Sequence, residues 1–143
     1  MEKALLSGLI GAVALTLLHE TARKFVSEAP RVDVVGERAL AKTMQTVGQA
    51  PPPEKDLYNA ALAGDLISNS IYYSLIGMGN PKKAVWSGAL LGATAGVGAV
   101  VLPKKLGLSE GPTARTNETA LMTIAWYTIG GLSAGIAYQM LSK

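Results

Sequence analysis

Four long apolar stretches dominate the chain, at about residues 4–25, 57–78, 83–102 and 117–141. Each is at or close to the length of ~20 helical residues that crosses the ~30 Å hydrocarbon core of a bilayer. A soluble helical bundle would need a polar outer face on each helix, and the first and third stretches have none. The pattern therefore predicts an all-α polytopic membrane protein, with one integral membrane domain over residues 1–143.

The boundaries of the third and fourth stretches carry recognisable helix signals. Asn80-Pro81 precedes the third stretch as a cap followed by proline, and Pro103 is expected to end it. Thr116 or Asn117 is expected to cap the fourth stretch, since the side-chain oxygen of either residue can accept from a free backbone N–H. These signals favour separate helices with short connections.

The connection between the first two stretches has a different periodicity. Apolar or small side chains recur every four positions within residues 33–48, while polar side chains fall on another face of the same helix. The first set is Val35, Ala39, Thr43 and Val47, and the second is Arg38, Lys42 and Gln45. The segment is too short and too narrowly apolar to span, so we expect an interfacial amphipathic helix lying on the membrane surface. A surface for a protein partner is the alternative.

Composition supports the membrane class and removes several others. Of the 143 residues 49% are apolar and only 16% are charged, compared with about 25% charged residues in ordinary soluble domains. The absence of cysteine excludes disulfides, thiolate metal sites and a cysteine nucleophile. The net charge of +3 is small and scattered, so nucleic acid is not an expected partner. No small-residue cleavage site follows the first stretch, which is expected to be retained.

The distribution of Lys and Arg predicts the orientation, because cytoplasmic loops carry an excess of both. Nine lie on one side of the four predicted spans: Arg23, Lys24, Arg31, Arg38, Lys42, Lys55, Lys104, Lys105 and Arg115. Four lie on the other: Lys3, Lys82, Lys83 and Lys143. We therefore expect a multi-pass protein of the cell (inner) membrane with both termini on the non-cytoplasmic side.

Small residues recur at the spacing that lets membrane helices approach closely. The glycines expected to pack helices together are Gly64 in the second span, Gly88, Gly92 and Gly96 in the third, and Gly131 and Gly135 in the fourth. Packing within one chain is the simpler interpretation, and a homo-oligomer through the third span is the alternative.

Asp65 lies about eight residues, or ~12 Å, inside the second span. A charged aspartate at that depth costs at least ~2.5 kcal/mol, so it should face the protein interior and have a partner. Asn69 and Tyr72 share its helix face. This polar stripe predicts either a network that fixes helix register or a functional pocket.

The run TLLHETARKF places ionisable groups at the end of the first span. His19 and Asp65 should reach comparable depths, which predicts a cluster open toward the cytoplasm. Its expected members are His19, Glu20, Arg23, Asp65, Asn69, Tyr72 and Glu118. The alternative is that the first helix simply emerges into the headgroups here, with its cations reaching phosphate.

Three functions are compatible with these residues. The favoured one is binding or transport of a small solute, proton or lipid through the polar cluster. A membrane enzyme acting on a lipid headgroup is the second, which the lack of another histidine disfavours, and its catalytic residues would be unknown. A structural or assembly subunit is the third. No cofactor is predicted, although bound membrane lipid is expected. A metal held by His19, Glu20 and Asp65 is a minor alternative, since Arg23 replaces the second histidine of an HExxH motif.

Overall fold

The computed structural model describes all residues 1–143, and every regular element in it is helical. The six α-helices are α1 (Glu2–Phe25), α2 (Val32–Thr46), α3 (Glu54–Ser74), α4 (Ala84–Lys105), α5 (Gly111–Ala114) and α6 (Asn117–Leu141). Two 3₁₀ turns, Leu75–Met78 and Pro81–Lys83, join α3 to α4. The all-helical prediction is confirmed.

Three helices are long and apolar enough to cross a membrane: Glu2–Phe25, Pro81–Lys105 and Asn117–Leu141. The prediction of four such spans is not confirmed, because α3 is not among them. Charged residues in its first turn and polar residues such as Asp65 and Asn69 lower the hydropathy of α3. Residues Val32–Thr46 do form a helix, while its position at a membrane surface stays a prediction.

The four long helices pack in the order α3, α1, α6, α4. Helix α6 lies between α1 and α4, and α3 contacts α1 along its length but barely contacts α4. At one end, here called the turn end, the Tyr138 hydroxyl donates to the Gly77 carbonyl at 3.4 Å. At the other, the loop end, the Arg115 side chain donates to the Ser27 carbonyl at 2.8 Å. Helix α2 lies at the loop end against α3.

Glycines let α4 and α6 approach until their backbones touch. A Cβ at Gly88 would overlap the Gly131 carbonyl oxygen, and one at Gly92 would meet the Thr128 Cα at 2.7 Å. Gly96 and Gly135 are equally closely covered by backbone atoms of the facing helix. The small-residue stripe of α4 is therefore filled within the chain and is not free for a second copy.

Gly64 does not share this role, contrary to the sequence prediction. It is exposed, and a Cβ added there would meet no atom within 4 Å. The reason is rotation about the axis of α3, which turns Asn69 and Tyr73 inward and Gly64 outward. Periodicity identifies a stripe of small residues, but it does not say which stripe a neighbouring helix covers.

Helix α4 continues past Pro103 to Lys105, whereas the sequence predicted an end at that proline. Proline has no N–H to give to the carbonyl four residues earlier, and it normally leaves that carbonyl unpaired. Here the Thr113 hydroxyl donates to the Ala99 carbonyl at 2.8 Å. The Thr113 carbonyl in turn accepts a hydrogen bond from the Thr123 hydroxyl, also at 2.8 Å. A side chain of α5 thus supplies the missing hydrogen bond.

Candidate functional site

A groove separates α3 from α4 because the two helices diverge toward the loop end. Its volume is about 710 Å³. Aliphatic and small side chains line most of it, including Val35 and Ala39 of α2 and Leu102 of α4, and Tyr127 of α6 contributes to its lining. The single side-chain hydrogen bond between α3 and α4 runs from the Tyr72 hydroxyl to the Leu91 carbonyl at 3.0 Å. The groove thus has the size and apolar character of a small-molecule site.

Asp65 is the one ionisable carboxyl group on the wall of this groove. It lies eleven residues after Glu54, the start of α3, which is about 16 Å along the helix axis. Its hydrogen-bond partner is the Asn69 amide, whose Nδ2 donates to Asp65 Oδ1 at 2.9 Å. No cation pairs with Asp65, so this carboxyl group has one neutral donor in a wall that is mostly apolar and small.

A second, much smaller cavity lies on the other side of Asp65. We call it the inner cavity; its volume is about 20 Å³, and its polar lining is Thr16, His19, Glu20, Asp33 and Asp65. His19 is only 7% exposed, and its ring packs edge-on to that of Tyr127 at 5.7 Å between centroids. Neither His19 Nε2 nor Thr16 Oγ1 has a hydrogen-bond partner within the protein.

An ion-pair network joins three helices at the loop end. Arg23 of α1 contacts Asp33 of α2 at 3.0 Å and Glu20 of its own helix at 2.7 Å. It also donates to the Tyr58 hydroxyl of α3 at 3.0 Å, and Tyr58 donates to Glu20 at 2.9 Å. Arg31 adds a second cation to Asp33 at 2.6 Å. We call these five residues the loop-end network; it fixes α2 and α3 against the end of α1.

The charge state of Asp33 follows from its neighbours. Burial by itself raises the pKa of this carboxyl, but the hydrogen bond from Arg31 and the charges of Arg31 and Arg23 lower it more, so the pKa is below its usual range. A lowered folded-state pKa means that the ion pairs contribute fully above the ordinary value of ~3.9. That contribution is lost as the pH falls through the lowered value, so the network is intact at neutral pH.

The predicted cluster divides into two groups. His19, Asp65 and Asn69 lie at the inner cavity or groove, and Tyr72 lies on the groove wall. Glu20 and Arg23 bond to each other in the loop-end network, and Glu20 also reaches the inner cavity. Glu118 belongs to neither group, contrary to prediction.

Glu118 is exposed and makes no hydrogen bond or ion pair with the other members. It lies in the first turn of α6, where its negative charge suits the helix dipole. No three His, Asp or Glu side chains lie close enough together to hold a metal ion. Glu20 is instead turned toward Arg23 and Tyr58.

Three residues of the site lie outside the predicted cluster. Asp33 is the centre of the loop-end network, Thr16 lines the inner cavity, and Tyr127 lies beside His19 and lines the groove. Only Asp33 gave a usable signal, as an acidic residue in the first turn of a helix preceded by Arg31. Thr16 and Tyr127 fall inside apolar stretches, where a single hydroxyl does not stand out.

These features define a class: an all-helical protein with three helices long and apolar enough to span a membrane. It carries a lateral apolar groove with one acidic side chain on its wall. No family model, curated protein or solved structure matches this chain. The function is therefore argued from the groove itself.

Proposed function

We propose that the protein crosses the membrane four times, with α3 as the fourth crossing helix of a bundle. The support is geometric. Helix α3 packs along α1, and its following turn reaches the first residues of α1, since a Cβ at Gly77 would contact the Ala4 side chain. Helix α3 with its 3₁₀ turn thus runs between the same two ends as α1. Its polar residues face the groove, where the cost of burying them is reduced.

In this arrangement α2 is the interfacial helix. Its residues Val35 and Ala39 line the groove. Its residues Arg38 and Lys42 donate hydrogen bonds to carbonyl groups of the loop after α4. Four crossings leave both termini on one side. The excess of Lys and Arg at the loop end supports a cytoplasmic position for that end. The cell (inner) membrane is the membrane that fits this rule best.

The proposed topology predicts the reactivity of single cysteines added to this cysteine-free chain. Glu2→Cys and Lys143→Cys should react with a membrane-impermeant thiol reagent in intact cells, while Lys42→Cys and Glu110→Cys should not. All four positions are exposed in the structure, so a difference in labelling reports sidedness rather than burial. All four should react after permeabilisation. Labelling of positions 2 and 143 on opposite sides would exclude four crossings.

We further propose that the groove binds a lipid or lipid-like molecule, with an apolar chain and a polar group that donates hydrogen bonds, such as an amine. The observation that carries this proposal is the position of Asp65 on the wall of an apolar 710 Å³ groove with Asn69 as its only partner. A bilayer supplies apolar chains at this depth, and these match the mostly apolar lining of the groove. A donating or cationic group would satisfy the carboxyl, which explains why an acidic residue is tolerated there.

The binding proposal predicts that filling the groove abolishes binding without harming the fold. Gly98 lines the groove, so the leucine side chain of Gly98→Leu would occupy part of it. A Cβ added at this position has the Leu102 Cδ1 as its nearest atom, at 3.6 Å. A fluorescent long-chain alkylamine, titrated into protein in detergent, should bind the wild type and fail to bind Gly98→Leu. Asp65→Asn should bind at least about tenfold more weakly, since a hydrogen bond to a charged group contributes ~1.5–3 kcal/mol.

Gly64→Leu is the matched control, because Gly64 is a helical glycine of α3 with open space around it and lies outside the groove. It should bind the probe like the wild type. Equal binding by Gly98→Leu and the wild type would exclude the groove as the site. Equal binding by Asp65→Asn and the wild type would exclude recognition of the amine by the carboxyl.

The exposed face of α4, with Trp86 and Leu90, remains available to lipid or to a second copy.

A further inference from the structure

The inner cavity between α1, α2 and α3 is lined by two residues that each have a buried polar atom without a partner in the protein. His19 Nε2 and Thr16 Oγ1 are both shielded from solvent and lack a hydrogen-bond partner. Both residues line the inner cavity together with Asp65, whose carboxyl receives one hydrogen bond, from Asn69. Leaving a buried polar atom without a partner costs about 1–3 kcal/mol. Two such atoms at one cavity therefore point to a common hydrogen-bonding ligand.

The size and chemistry of the inner cavity select that ligand. Its volume is about 20 Å³, and a buried water needs roughly 10–15 Å³ and two to four polar partners. A hydroxyl, an imidazole nitrogen and a carboxyl offer both donors and acceptors, which suits water. A divalent metal would need several oxygen or nitrogen ligands at close range, and no group of three ligating side chains lies together here.

We propose that the inner cavity binds one water molecule, which joins Thr16 and His19 of α1 to Asp65 of α3. This water gives a hydrogen-bonded connection from His19 to the carboxyl group on the groove wall. The loop-end network lies directly beyond it, because Asp33 lines both the inner cavity and a polar surface depression with Arg23 and Arg31. The site shares Asp65 with the groove, whereas Thr16 and His19 line only the inner cavity.

Water-edited solid-state NMR of the protein in lipid bilayers tests this site. His19 is the single histidine of the chain, so its ring signals need no assignment by mutation. Magnetisation from water should reach the His19 ring several-fold faster than it reaches the Trp126 indole. Trp126 Nε1 is the internal control, since it is also buried and unpaired but does not line the inner cavity. Equal, slow transfer to both rings would overturn the proposal.

Two variants test whether water in the inner cavity accounts for the transfer to His19, one by filling the cavity and one by removing a hydroxyl group. Gly36→Ala adds a methyl group to the cavity wall, and its Cβ would meet the Ala61 Cβ at an ordinary 3.5 Å. Thr16→Val keeps the side-chain shape and removes the hydroxyl. Both should slow transfer to His19 to about the rate seen for Trp126, whereas Gly98→Ala, a helical glycine with a nearest contact of 3.6 Å, should leave it unchanged.

If transfer to His19 in Gly36→Ala and Thr16→Val were as fast as in Gly98→Ala, water would reach His19 by another route and the assignment would be overturned. A stoichiometric metal in elemental analysis of the purified protein, lost from Thr16→Val, would overturn water as the ligand. A high-resolution map with one density peak bonded to Thr16, His19 and Asp65 at hydrogen-bond distances would support it directly.

Discussion

Gly92→Leu is expected to separate α4 from α6 and to destabilise the protein by about 3 kcal/mol, near the upper end for overpacking. The obstacle is backbone rather than a movable side chain: a Cβ at Gly92 lies 2.7 Å from the Thr128 Cα and 3.0 Å from the Tyr127 carbonyl carbon. Helix α6 cannot retreat, because its other face packs on α1 through Gly130 and Ala134. The melting temperature in detergent, followed by circular dichroism, should fall by roughly 10 °C.

Gly98→Leu is the control for this experiment, since it introduces the same side chain into the same helix six residues later. Its Cβ has no contact closer than 3.6 Å, and leucine is a better helix former than glycine by close to 1 kcal/mol. Its melting temperature should equal or exceed that of the wild type. If Gly92→Leu melted like Gly98→Leu, the close approach of α4 and α6 would be wrong.

Arg23→Met is expected to loosen α2 from α1 and α3 and to cost about 2 kcal/mol, the scale of hydrogen bonds to charged groups. Methionine keeps much of the length of the side chain but removes the guanidinium that joins Glu20, Asp33 and Tyr58. Asp33, whose side chain is 7% exposed, would then keep only Arg31, and that residue lies at the start of the same helix. No residue of α2 is fully buried, so the helix would be held mainly by the hydrogen bonds of Arg38 and Lys42 to the loop after α4.

Hydrogen exchange measured by mass spectrometry is the suitable readout, because local opening appears as loss of amide protection. Peptides from residues 32–46 should exchange about tenfold faster or more in Arg23→Met, and those from α6 should be unaffected. Arg115→Met is the matched control: its partner Glu28 lies at 3.3 Å and its side chain is 46% exposed, so the loss should stay below about 1 kcal/mol. Unchanged protection of α2 in Arg23→Met would refute the role of the loop-end network.

Much of the fold could be predicted from one sequence because its helices carry local signals. The 3.6-residue periodicity gave the segment Val32–Thr46, and the apolar length gave α1, α4 and α6 within a few residues. The Thr116 cap, which accepts from the Thr119 N–H at 3.1 Å, is likewise readable from neighbouring residues. The end of α4 was misplaced because the group that replaces the missing Pro103 hydrogen bond, Thr113, lies on a different element.

The candidate site was only partly predictable for the same reason. The cost of burying a charge identified Asp65 as a residue that must face something polar, and helix geometry placed Asn69 beside it. Neither principle could predict that α3 diverges from α4 and opens the groove, or that Asp33 lies between two arginines. Glu118 was included because only the depth of each residue along its helix, and not its direction, could be estimated from sequence.

The sequence by itself determined where the five longer helices lie, that α1, α4 and α6 are apolar enough for a bilayer, and that Asp65 is too polar to face lipid. Those properties depend on side chains within a few positions of one another. The tertiary structure decided which faces meet: it buried the glycines of α4 against α6, left Gly64 exposed, and brought Thr16, His19 and Asp65 to one cavity. Helix rotation and order depend on packing between residues far apart in the chain, which no local pattern encodes.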